Sequence, residues 1–177
     1  MTKLMHKLFL NGAAVLKTKT LAVVLVAIWA SLFGGKAYAD FLMQSLDGER
    51  VDLHDYIGNG QWTLVMLWTT DCIPCEEQKP MIQDFHNTYK DSSASVVGLA
   101  LDGPAKQVEI DKLIEHHMPN YTNLVAFDDV FARQFNEETG KPFSVTPTYV
   151  FYRPNGELLG VHAGKVSRQA LDAVVSQ

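Results

Sequence analysis

The stretch Trp62-Thr63-Leu64-Val65-Met66-Leu67-Trp68-Thr69-Thr70-Asp71-Cys72-Ile73-Pro74-Cys75 joins a continuous apolar run to a pair of cysteines. The run is bounded by Gly60 and by Thr69-Thr70-Asp71 and is rich in aromatic and branched side chains. Its length and composition predict a strand buried on both faces. Ile73 to Lys90 follows, with Ile82, Phe85 and Tyr89 at helical spacing. Pro80 inside that segment predicts a kink, since proline removes a backbone donor and crowds the preceding turn. The cysteines therefore stand where a buried strand hands over to a helix.

That position has chemical consequences. A helix N-terminus carries unpaired N–H groups and a partial positive charge, which favour a thiolate over a thiol. Cys72 falls at or near the N-cap, and Cys75 lies one turn inward, close enough to close a disulfide with it. Pro74 suits the first turn, where its missing donor costs nothing. A nucleophilic Cys72 would form a mixed disulfide with a substrate, and Cys75 would resolve it. A zinc site is the rival reading, but it needs four ligands. There are only two cysteines. His54, His86 and His162 are scattered, and His116-His117 are adjacent and expected on a solvated helix face. A purely structural role is poor value, because a four-residue ring restricts little denatured-chain entropy. No metal ligand set is expected, and no nucleotide, flavin or haem motif is visible, so no cofactor is expected.

Outward from this stretch, Phe41–Gln44 and Arg50–Leu53 predict short strands around Leu46-Asp47-Gly48-Glu49. Ser95–Leu101 predicts a second buried strand. Ala105–His117 then predicts a helix, Leu124–Phe127 a strand and Asp128–Asn136 a helix. Pro147–Arg153 and Glu157–His162 flank Pro154-Asn155-Gly156, a hairpin signal. A last helix is capped by Ser167, with Leu171, Val174 and Val175 on its apolar face. Alternation followed by a hairpin predicts an α/β fold: a mixed central sheet flanked by helices on both faces.

The 177 residues suit one domain and a short appendage. Residues 1–39 hold five lysines and no acid, leaving ten basic against twenty acidic residues in 40–177. Such a surface repels phosphate backbones, so nucleic acid is not an expected partner. Leu21 to Phe33 is apolar for thirteen residues, short against the about 20 that a membrane span needs. With its basic leader and Ala37-Tyr38-Ala39, it reads as a secretory signal ending before Asp40. Uncleaved, it would be an N-terminal anchor, the one case in which a membrane is a partner. Either way residues 40–177 are expected to work in the periplasm or otherwise outside the cytoplasm.

Trp68 to Cys75, Pro80 five residues past the second cysteine, and Val145-Thr146-Pro147-Thr148 before the hairpin resemble a thioredoxin-like domain. The pattern Phe41-x-x-x-Ser45-Leu46-Asp47-Gly48-Glu49-x-Val51-x-Leu53, with Leu101-Asp102-Gly103 and an extra strand and helix over about 104–127, is similar to the exported TlpA/ResA-like branch. The resemblance spans residues 41–177. It implies a thiol–disulfide oxidoreductase acting through Cys72 and Cys75 on client proteins with cysteine thiols or disulfides. It also implies a membrane or periplasmic electron donor that re-reduces the pair. It implies that Thr146–Pro147 is cis and packed against the cysteines, so that Trp68, Thr146 and Pro147 form the substrate-binding site. There the Thr146 backbone would pair with an extended client segment.

The chain departs from that pattern at Met66, where thioredoxin has a buried acid. Asp71 replaces the usual tryptophan, and Gln78 stands where several reductive members carry Glu. The base for Cys75 would have to be Glu76, Glu77 or a residue from 104–127. Asp71, Glu76 and Glu77 place negative charge near Cys72 and should disfavour its thiolate. A reductant or mild exchanger is expected, not an oxidant with a potential of about −120 mV. Two alternatives stay open. Thr69-x-x-Cys72 matches part of a thiol peroxidase pattern, although Val65 stands where that pattern has proline. A copper-binding module would use the pair with Met66, Met81 or a histidine, though apolar positions suit core methionines better.

Overall fold

A computed structural model describes residues 40–117 and 119–177, and Trp62–Trp68 lies within its seven-stranded sheet. The lysine-rich leader and expected export signal lie outside the described residues. In chain order come β1 (Leu42–Ser45), β2 (Arg50–Asp52), β3 (Trp62–Trp68), α1 (Ile73–Tyr89), β4 (Ala94–Ala100) and α2 (Gln107–His117). There follow β5 (Thr122–Ala126), α3 (Asp128–Thr139), β6 (Thr148–Tyr152), β7 (Leu158–Ala163) and α4 (Arg168–Val175). Across the sheet the order is β2-β1-β5-β4-β3-β6-β7. β3, β4 and β5 run parallel, whereas β1 and β6 join them antiparallel. The mixed sheet is as expected, and the 104–127 segment contributes α2 and strand β5.

The unbroken apolar character of β3 follows from cover on both faces. Leu64, Met66 and Trp68 belong to a cluster with Ile82 and Phe85 of α1, Ile110 of α2 and Leu171 of α4. Val65 and Leu67 point the other way, into a cluster with Phe131 and Phe135 of α3, Phe41, Met43 and Leu53. Thr63 is the buried polar exception on β3, and its hydroxyl donates to the Tyr56 carbonyl at 3.3 Å.

Element ends differ from the sequence reading where local chemistry intervenes. Pro104 starts a 3-10 turn over Pro104–Lys106, so α2 begins only at Gln107. α3 runs on to Thr139, because Gly140 at φ 66° supplies the left-handed residue that closes it. α1 includes Pro80 and reaches Tyr89. Ser167 caps α4 as expected, its hydroxyl accepting from Ala170 N at 3.2 Å. Ser167→Ala is expected to lower stability by about 1 kcal/mol in urea denaturation.

Two histidines hold elements together and respond oppositely to acid. Val96 N donates to His86 Nδ1 at 3.2 Å, tying α1 to β4. Burial, with Lys90 adding to it, pushes the His86 imidazole below its ordinary range. His54 lies between Asp52 at 2.7 Å and Glu138 of α3 at 3.3 Å. Hydrogen bonding to Glu138, helped by Asp52, holds His54 above its ordinary range against the burial that opposes it. His86 therefore removes stability as pH falls below its unfolded value of 6.5 toward its lower folded value. The His54 contribution is full below 6.5 and is lost as pH rises through its raised folded value. His86→Asn, which keeps an acceptor, is expected to shrink the stability lost between about pH 6.5 and 5, whereas His54→Asn is expected to remove the stability lost as pH rises from 6.5 through the raised His54 value. Urea midpoints taken on both sides of pH 6.5 read the two opposite slopes.

Candidate active site

β3 delivers the chain to the site at Trp68, whose carbonyl accepts from Leu101 N at 2.9 Å. A turn through Thr69–Asp71 follows, closed by Cys72 N donating to Thr69 O at 3.3 Å. Cys72 is the N-cap of α1, with extended backbone (φ −86°, ψ 90°). Its Sγ accepts from Cys75 N at 3.2 Å, and its carbonyl accepts from Cys75 N and Glu76 N at 3.0 and 3.2 Å. The two sulfurs are bonded to each other, with Cα atoms 5.2 Å apart. Cys72 is 6% exposed and Cys75 is fully buried. An anion on Cys72 Sγ would face the positive end of α1 and a backbone N–H already directed at it.

Asp102, at the end of β4, holds the turn in front of the cysteines. Its carboxylate accepts from Thr70 N at 2.9 Å and from the Thr70 hydroxyl at 2.7 Å. Lys106 approaches it at 3.3 Å, and the Asp102 side chain is only 4% exposed. Gly103 follows at φ 80°, where a Cβ would press on the Asp128 carboxylate. Sequence reasoning used Asp102 as a family marker and missed this anchoring role. An acid after a buried strand, before Gly-Pro, was the signal.

The acids near the pair are each engaged. Thr69 donates to Asp71 at 2.9 Å, on the exposed side of the turn. Glu77 pairs with Lys165 beyond β7. Glu76 binds Lys79 with one oxygen and His117 of α2 with the other. His117 is therefore not on a solvated face as expected from its neighbour: the α2 helix turns it onto α1, while His116 stays exposed. Lys79 is buried, and its ammonium stands 4.2 Å from the centre of the Trp68 ring. In the sequence Lys79 ends the polar run Glu76-Glu77-Gln78-Lys79. Yet Cys75, Lys79, Ile82 and His86 are spaced 4, 3 and 4 apart, on the buried stripe of α1.

Trp68, Thr146 and Pro147, expected around a substrate, fall as follows. Trp68 is buried in the same cluster as both cysteines. Thr146–Pro147 is cis; Pro147 is buried, Thr146 is half-buried and Val145 before them is exposed. Met66 is fully buried in the cysteine cluster. Gln78 Oε1 accepts from the Tyr149 hydroxyl at 3.0 Å and Val166 N at 2.8 Å, bracing α1 against β6 and the segment after β7. Burial holds the phenols of Tyr149 and Tyr121 well above their usual range, so both remain donors. For Tyr121 the Glu76 charge adds to that effect.

Known proteins agree with this architecture. The chain is 21% identical to the thiol-disulfide oxidoreductase ResA of Halalkalibacterium halodurans over 168 residues, 89% of this chain and 90% of that protein. It is 27% identical to the ResA of Oceanobacillus iheyensis over 148 residues, 80% of this chain and 71% of that one. Among solved structures, a secreted Mycobacterium tuberculosis disulfide oxidoreductase homologous to E. coli DsbE superposes with a TM-score of 0.61 at 21% identity. That match covers 80% of this chain and 98% of the other, and it carries the fold. A family model matches residues 34–160, from before β1 into β7, and on that match the chain belongs to the AhpC/TSA family.

Proposed function

We propose that the protein is an exported thiol–disulfide oxidoreductase that reduces or exchanges disulfides in client proteins through Cys72 and Cys75. The observation that carries this is the disulfide itself, set at the first turn of α1 with Cys72 as N-cap and Cys75 sealed beneath it. In the reducing direction Cys72 thiolate attacks a client disulfide. A bond forms from Cys72 Sγ to one client sulfur, and the other leaves as a thiolate that takes up a proton. Cys75 then gives up its proton and attacks Cys72 Sγ, forming the internal disulfide and releasing the second client thiol. The client gains two electrons, the pair loses two, and an external dithiol donor must return them.

Asymmetric burial supports Cys72 as the attacking sulfur and Cys75 as the resolving one. Thr146 and Pro147, next to exposed Val145, are the proposed edge for an extended client segment. Buried Trp68 serves as floor to the site instead of a contact surface. Export rests on the basic leader and apolar run before Asp40, and among the described residues no helix is long and apolar enough to cross a membrane. Glu76 and Glu77 both have cationic partners, so Asp71 is the acid left to weaken the Cys72 thiolate. A mild or reducing potential follows.

The peroxidase alternative draws no support from Thr69, whose hydroxyl is spent on Asp71. The test is dithiothreitol-driven insulin reduction, beside a peroxide-consumption assay. Acceleration of insulin precipitation that vanishes in Cys72→Ser is the expected result. Peroxide turnover without insulin reduction would overturn the assignment, and a glutathione-titrated potential of about −120 mV would overturn its direction.

A further inference from the structure

Cys75 must become an anion in the resolving step, yet it has no exposed surface and sits in an apolar cluster. Burial in such surroundings raises a thiol's resistance to ionisation unless a positive charge stands near. Resting on the proposed function, we infer that Lys79 supplies that charge, and that Glu76 and His117 are positioning residues that hold its ammonium in place.

Lys79 is four residues after Cys75, so their Cβ atoms stack about 5–6 Å apart on one helix face. Long side chains on a helix point back toward its N-terminus, over positions three and four earlier. The Lys79 ammonium does so: it donates to Glu76 at 2.5 Å and lies over the Trp68 ring at 4.2 Å. Both contacts draw it back toward the turn that carries the cysteines. Glu76 is itself pinned from α2 by His117.

The titratable groups around this part of the core are Glu76 and Lys79 on α1, His117 on α2, Tyr121 before β5 and Tyr149 on β6, with Asp71 outside. Burial keeps the two phenols protonated, and Asp71 is exposed. The Lys79 side chain is 8% exposed against 29% for Glu76. Water therefore screens the carboxylate more than the ammonium.

The experiment reads Cys75 alone, in the full chain carrying Cys72→Ser, by iodoacetamide alkylation across pH. Adding Lys79→Met, which keeps the apolar stem over Trp68, is expected to move the alkylation midpoint to higher pH and slow the reaction at pH 7 about 10-fold or more. Lys79→Arg keeps the charge and is expected to restore the profile. Glu76→Gln, which removes the opposing carboxylate but leaves an acceptor to hold the ammonium, is expected to move the midpoint to lower pH, and Lys79→Gln decides the matter should Lys79→Met not fold. General disruption would not shift the two variants in opposite directions. An unchanged midpoint in folded Lys79→Met, or an alkaline shift in Glu76→Gln, overturns the inference. Alkylation needs neither client nor donor, so insulin reduction can fail with this dependence intact, or the reverse.

Discussion

Replacing Cys75 by Ser is expected to stop the reaction at its midpoint, with clients held covalently on Cys72. A hydroxyl cannot displace the client sulfur, so release then depends on external thiols. A well-oriented internal thiol has an effective molarity on the order of 10⁵ M or more. Losing it slows resolution by several orders of magnitude at millimolar external thiol. Non-reducing gels of cells expressing Cys75→Ser should show higher-mass adducts that collapse on reduction, and their mass-spectrometric identification names the clients. The Cys72→Ser,Cys75→Ser double variant should show none. The asymmetry comes from burial: Cys72 retains some surface and Cys75 has none. Adducts that persist equally in Cys72→Ser alone would reverse the assigned roles.

Asp102→Ala is expected to be the most damaging change outside the cysteines. It strips acceptors from both the N–H and the hydroxyl of Thr70, two residues before Cys72. Hydrogen bonds to a charged group contribute about 1.5–3 kcal/mol each. The Lys106 partner is half exposed and adds little. A loss of about 3 kcal/mol in urea denaturation is expected, together with slower insulin reduction as the turn before Cys72 loosens. Asp102→Asn keeps one acceptor oxygen and should recover much of both. Wild-type stability in Asp102→Ala would mean that Thr70 finds water or another partner at no cost.

Much of this arrangement is legible in one dimension. The run Trp62–Trp68 announces its own burial, since covered faces on both sides leave no position for a polar residue except Thr63, which bonds locally. Strand-then-Cys-x-x-Cys places the sulfurs at a helix start, because Pro74 and the end of β3 leave no other beginning for α1. Asn155-Gly156 and Ser167 mark a hairpin and a cap through short-range chemistry alone. Pro104 shows the limit of that reading: it sits at a helix start but makes a tight 3-10 turn first, and the boundary moved by two residues. Lys79 shows a different limit. Four polar residues in succession look solvated, although the period through Cys75, Ile82 and His86 puts one of them inside.

The alternation of strands and helices, the cysteine pair and its place at a helix N-terminus are all written in the order of residues. These depend on periodicity, propensity and capping, which act over a few residues. Long-range packing is what brings Asp102, just past β4, to anchor Thr70, and what lets Gln78 brace α1 against β6. It alone turned His117 of α2 onto Glu76, and so set a buried ammonium beneath Trp68. The Asp102, His117 and Gln78 contacts join residues 32, 41 and 71 to 88 positions apart. Their partners are chosen by the register of β3 on β4 and by how α1 packs against α2 and β6, and no local pattern encodes that choice.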